Sequence, residues 1–404
     1  MAVWLATLGV SVIAIHRMSY ALPHAVRKVE HWSAVNVAYR YDELTRFFGG
    51  VPIYHENFGR LTYPPATYVF LWPVLGWLPL ESARVLFVAT NLASAIVIAL
   101  LAYRLADRHP QAERFLIVAM VFACYPLQIS VFLGHMPAQV VALVAIAALI
   151  LRARVSWATD VAASACLAAS LVKPTLAPPL VAAVLIATWR WRPVLLTGGI
   201  YAGVALIAST AQPAGFVELH LAWLRANTSH AVAAELIEAL PNLHNWLSWA
   251  GHGRWGPAAS ILALVGYSVW AWRRRHADVW LLLGTGALVA RLWSYHRPYD
   301  DIVILLAAIA LLRVARGPDP GLRIPAAVLF AVTCLTLLTP AWALYNLDRP
   351  TIRAVYTAQT TVWVTVMAFL LFRGKKQLTA ISPSAMSKAR LGVRPGAPGR
   401  SERR

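Results

Sequence analysis

The chain has 404 residues, of which 59% are hydrophobic and 13% charged, with a formal net charge of +19. Its mean hydropathy is +0.60, and apolar stretches of membrane-spanning length recur from end to end, which excludes a soluble domain. In a soluble protein the positive charge would point to nucleic acid; here it sits in short loops and the tail, so it reads as a membrane-orientation signal and no nucleic-acid partner is expected.

The first apolar run, residues 1–15, is expected to stop at His16-Arg17. A span needs about 20 apolar residues, so this run is short. It lacks the basic start of a signal peptide, and a truncated gene start would explain it. A polar stretch, 23–63, follows and carries Glu30, Asn36, Asp42, Glu43 and Glu56. The run 66–80 is broken by Pro73 and Pro79, a pattern that predicts a re-entrant or juxtamembrane helix.

Further apolar runs cover 84–103, 115–134, 138–151, 157–171, 175–189 and 194–212. The loop 213–254 reads as surface helices, with Trp223, Trp246 and Trp249 placed at a membrane interface. The last runs are 256–272, 278–293, 302–315, 324–343 and 354–372. The basic tail 373–404 is expected to be disordered and cytoplasmic. The predicted fold is all-α: one polytopic domain over 1–372 with about twelve transmembrane helices. Cys124, Cys166 and Cys334 lie in apolar runs and fit neither a zinc site nor a disulfide framework.

Placing the tail in the cytoplasm puts five short loops there, 104–114, 152–154, 190–192, 273–275 and 313–323, which together hold thirteen arginines. The loops 23–63 and 213–254, the turn Gly134-His135-Met136, the break at Lys173-Pro174, and the stretch 294–301 then share the outer face.

That last stretch, Ser294-Tyr295-His296-Arg297-Pro298-Tyr299-Asp300-Asp301, is a dense charge cluster between two apolar runs, with Arg291 just before it. It is either a polar interface loop or a site in a wet cavity, and ionisable groups at membrane depth favour a site. Pro174 breaks a helix beside Lys173. Lys173 either holds a phosphate there or snorkels to the interface. Arg291, Arg297 and Lys173 would form a phosphate clamp, with His296 donating a hydrogen bond to the same group. Asp300 and Asp301 would orient the cations. No metal-ligand spacing is recognisable, so neither a divalent metal nor another cofactor is indicated. A hydroxyl acceptor needs a carboxylate base, for which Glu30, Asp42, Glu43 and Glu56 are chemically suited.

Several elements in order resemble membrane glycosyltransferases of the C-type superfamily, glycosyltransferase family 87. They are Gly49-Gly50-Val51-Pro52-Ile53-Tyr54, Leu61-Thr62-Tyr63-Pro64-Pro65 with Pro73 downstream, Gly134-His135, Lys173-Pro174 before the loop 189–193, and the His296/Tyr299-Asp300 element. The resemblance implies a multi-pass protein of the cell membrane that uses a polyprenyl-phosphate sugar donor, usually mannose, on the extracytoplasmic face. The acceptor would be a lipid-linked or cell-envelope glycan, with membrane lipid as the surrounding partner. It also implies site roles for Tyr63, His135 and Tyr299. Two departures stand out. Asn36 occupies the place of an expected aspartate, and an amide is no general base, so Asp42 or Glu43 would substitute. His135 stands where the family commonly has glutamine. The competing readings are a lipid or glycan transporter, which would place polar groups near the midplane and often show repeats, and a catalytically impaired binding subunit.

Overall fold

The computed structural model describes residues 2–27, 34–54, 63–106, 110–237, 241–339 and 347–373. Among them every regular element is helical. In chain order these are α1 (Ala2–Arg27), α2 (Val35–Phe48), α3 (Pro65–Leu75), α4 (Leu80–Leu105), α5 (Gln111–Ala123), α6 (Tyr125–Leu133), α7 (Pro137–Ala153), α8 (Trp157–Ser170) and α9 (Ala177–Thr188). They continue as α10 (Trp191–Thr210), α11 (Phe216–Ile237), α12 (Leu243–Trp249), α13 (Gly256–Arg273), α14 (Val279–Leu292), α15 (Ile304–Ala315), α16 (Pro320–Leu338) and α17 (Arg349–Arg373). Short 3-10 helices lie at Gly253–Trp255 and Pro298–Val303.

Six described segments are long and apolar enough to cross a membrane: Val3–Arg27, Leu80–Leu105, Gln111–Leu133, Trp191–Thr210, Pro320–Leu338 and Pro350–Phe372. Shorter apolar helices, including α7, α9 and α14, pack among them. Three features differ from the sequence expectation. First, α1 does not stop at His16-Arg17 but runs 26 residues. Arg17 is buried, and its guanidinium donates to the carbonyls of Ala123 and, at 2.5 Å, Leu338. Partners on two other helix ends thus absorb a charge that read locally as a stop. Second, the run 115–134 is two helices meeting at Cys124, because Pro126 has no N–H to continue the ladder. Third, Pro79 ends nothing; it stands immediately before α4, where a missing N–H is harmless. The stretch 66–80 becomes the short α3 followed by a turn, and α11 and α12 form the expected helices in 213–254. The loop residues Glu30 and Glu56 and the tail beyond Arg373 lie outside the described residues.

The core is the antiparallel hairpin of α14 and α15. Nearly every side chain of both helices is buried, with α9 against α14 and α16 against α15. The two backbones approach so closely that a Cβ at Gly284 would stand 2.5 Å from the Ala310 Cβ. One end of this hairpin carries the basic loops. Arg313 bonds Asp278 with Arg152 nearby at 3.9 Å, Arg316 pairs with Glu113, and Arg190 pairs with Asp160. Ion pairs between different loops therefore gather them on one face. The hairpin tip, 293–303, is at the opposite end, as are the N-termini of α7 and α9. At 1.5 Å per residue, the 17-residue α7 separates the faces by about 25 Å.

Candidate functional site

Three interruptions in helices meet at the hairpin tip. The first follows α6. Gly134 adopts φ +77° and closes that helix, and His135 N–H donates to Ser130 O at 2.8 Å. Pro137 then opens α7. The second follows α8, where residues 171–176 form a turn around Lys173-Pro174. Two long-range bonds hold it: Thr67 Oγ1 donates to Val172 O at 3.0 Å, and Trp293 Nε1 donates to Thr175 O at 2.7 Å. The third is the tip itself. Its short 3-10 helix is capped by Asp300, whose Oδ2 accepts the Arg297 N–H at 3.1 Å.

These pieces bring the ionisable groups together. Lys173 Nζ pairs with Asp300, and both side chains are buried. Lys173 also lies 4.7 Å above the Tyr299 ring. The other side of the cluster is His135, whose imidazole stacks on Tyr299 with centroids 3.4 Å apart. The Asn36 amide, from the first turn of α2, donates to His135 Nε2 at 2.9 Å. Burial, and then the charges of Lys173, Arg40 and Arg297, push the His135 imidazole well below its ordinary range, so it is neutral at pH 7.

A second pair lies beside the first. Arg291 bonds Asp301, Tyr125 O–H donates to the same carboxylate, and the guanidinium lies 5.1 Å from the Trp363 ring centroid. Arg291 and Asp301 are both 0% exposed. Arg291, grouped with Lys173 on sequence, is thus enclosed in a pair of its own. Arg297 is only half-buried and donates to the Tyr295 hydroxyl. His296 spends its Nδ1–H on Tyr295 O, and its buried Nε2 has no partner among the described residues. Burial, then Arg291 and Lys173, hold this histidine well below its usual range too. In this state it has no proton left to donate to a phosphate.

The candidate bases fall apart on one helix. Asn36, Asp42 and Glu43 all lie on α2. Asp42 is exposed and pairs with Arg46 at 2.9 Å. Glu43, seven residues from Asn36, is buried and pairs with Arg40 at 2.5 Å; Arg40 in turn lies 4.5 Å from the Tyr63 ring centroid. Sequence reasoning missed Tyr125, Arg40 and Trp363. Tyr125 carried one signal, its place beside Pro126; the other two look like an ordinary loop cation and an ordinary apolar-run aromatic. No group of His, Cys, Asp and Glu among the described residues is arranged to hold a metal.

A large apolar cavity of about 1000 Å³ lies between α12, α13, α14 and α17. Leu243, Trp246, Leu292 and Trp293 line it at the tip end, and Arg273 and His276 at the basic end. Trp293 is the same residue whose indole holds the Lys173 turn.

The family model of glycosyltransferase family 87 matches residues 61–294, more than half of the chain. The match takes in His135, Lys173 and Arg291 and stops before Tyr299–Asp301. No curated protein and no solved structure matches the chain.

Proposed function

The chain belongs to glycosyltransferase family 87, a family of membrane glycosyltransferases, and on that premise we propose that it moves a sugar, by resemblance mannose, from a polyprenyl phosphate to a lipid-linked or envelope glycan. One juxtaposition carries the choice of donor. The cavity between α13, α14 and α17 is apolar and Trp293 is part of its lining, and Trp293 is hydrogen-bonded two residues from Lys173. A ligand with an anionic head and a long hydrocarbon tail satisfies both halves: the tail packs against the apolar lining and the phosphate meets Lys173 and Arg297. Lys173 has three N–H donors and gives one to Asp300, so two remain for phosphate oxygens. As the sugar–phosphate bond breaks, charge grows on the departing oxygen, and fixed cations in a dry site stabilise it.

The direct test incubates the purified protein with polyprenyl-phosphate mannose and an envelope-glycan extract. Free polyprenyl phosphate and labelled glycan are expected together; neither would form on a transporter or an impaired binding subunit. Lys173→Ala is expected to weaken donor binding by about ten- to a hundredfold, the equivalent of one charge-assisted bond of about 1.5–3 kcal/mol. Titration with the donor in detergent measures this, and unchanged affinity would remove Lys173 from the phosphate site.

We place the tip on the extracytoplasmic face, because the arginine-rich loops occupy the other. In a cysteine-free background, single cysteines at Gly253 and Gly317 are expected to react with an impermeant thiol reagent from opposite sides of the membrane. Labelling of both from one side would overturn the orientation.

A further inference from the structure

The geometry points to the Asn36–His135 pair as the group that activates the acceptor: the His135 imidazole takes the acceptor hydroxyl's proton, and Asn36 holds the ring in position. This rests on the glycosyltransferase reading and adds to it the identity of the base.

The carboxylates do not fill that role among the described residues. Asp300 is engaged by Lys173, Asp301 by Arg291 and Tyr125, and Glu43 by Arg40. Asp42 is turned out to solvent with Arg46. Each of these anions already neutralises a cation, and protonating one would leave that cation, often buried, without its partner. A neutral imidazole has no such commitment. Two histidines meet at the tip, but His296 is 0% exposed whereas His135 keeps 7% of its surface open. His296 also commits its Nδ1–H to Tyr295 O, whereas both contacts of the His135 ring are with Asn36 and Tyr299 of the tip cluster.

The ring is held on two sides. Tyr299 stacks on its face, and Asn36 engages Nε2. As placed, the Asn36 amide donates to Nε2, which puts the ring proton on Nδ1. A half-turn of the amide, which leaves its shape unchanged, presents Oδ1 instead. That orientation fixes the proton on Nε2 and leaves the Nδ1 lone pair for the acceptor. It also stabilises the imidazolium that forms, since both states keep the Asn36 contact.

The step balances within the site. The acceptor O–H bond breaks and its proton passes to His135. The oxygen forms a bond to the sugar's anomeric carbon, and the bond from that carbon to the phosphate oxygen breaks. The bonding pair leaves on the phosphate, beside Lys173 and Arg297. The imidazolium then returns its proton to water. Because burial and neighbouring cations depress the imidazole, the neutral form persists well below pH 7, and activity is lost only as pH falls through that lowered value.

The test uses the full-length protein with polyprenyl-phosphate mannose and glycan acceptor, and follows both transfer rate and donor affinity. H135Q is expected to lower kcat by about 10²–10⁴-fold with donor affinity retained. H135A is expected to regain part of its rate with added imidazole, and N36A to move the acid limb of the pH profile. H135Q within threefold of the unaltered protein overturns the proposal. So does a loss in H135A that imidazole leaves untouched, or one matched by lost donor affinity, since both assign His135 a packing role. If the unaltered protein itself transfers no sugar, the glycosyltransferase reading fails instead.

Discussion

Arg291→Ala is expected to destabilise the protein by about 3–5 kcal/mol, because it strips the partner from a buried carboxylate. Asp301 is 0% exposed and, among the described residues, would be left with only the Tyr125 hydroxyl. The same change removes the guanidinium that lies over Trp363 and donates to Pro241 O at 3.5 Å, so it also loosens the contact of α14 with α17. The whole pair need not be worth that much. Two ions moved out of water lose most of what their attraction returns, and a matched apolar pair can be as stable. Arg291→Met with Asp301→Asn should therefore recover a large part of the loss. Thermal unfolding in detergent, followed by tryptophan fluorescence, distinguishes the two variants. A single variant that melts with the unaltered protein would show that the pair does not hold the hairpin tip, and a double variant as weak as the single would show that packing, not charge, dominates.

The same pair shows what was legible in the sequence. The membrane class, the helical fold and the gathering of basic loops follow from composition and charge spacing, which are local quantities. The tip was visible as well: Asp300 and Asp301 are adjacent acids in a chain with 17 acidic residues, and Lys173 breaks a long apolar region beside a proline. Which acid meets which cation was not visible, because Lys173 and Asp300 are 127 positions apart and Tyr125 and Asp301 are 176 apart. A one-dimensional pattern carries no register between distant helix ends. The same limit explains Arg17. Its charge marks a helix end only if it has no partner, and its partners are carbonyls on α5 and α16. The α2 helix was legible in part. Its period places Glu43 near the face of Asn36, but the partners of that face, His135 for Asn36 and Arg40 for Glu43, decide what each can do.

Gly134→Ala should separate the two elements that form the His135 side of the site. Gly134 sits at φ +77°, where a side chain costs about 1–2 kcal/mol. An added Cβ would also stand 2.2 Å from Val37 Cγ2 and 3.3 Å from the Val37 amide nitrogen, and overpacking of this kind costs about 1–3 kcal/mol. The clash pushes α2 away from the end of α6, where Ala34 N–H now donates to Phe132 O at 2.9 Å. Val37 neighbours Asn36, so the same displacement lengthens the 2.9 Å contact to His135. Stability is expected to fall by about 2–5 kcal/mol in total, with sugar transfer falling further than stability alone dictates. Val37→Ala in the same chain removes the side-chain collision but leaves the backbone strain. The double variant should regain most of the transfer rate and only part of the melting temperature, because position and strain are then separated. Equal recovery of both, or of neither, would mean that Gly134 does not set the spacing between α2 and His135.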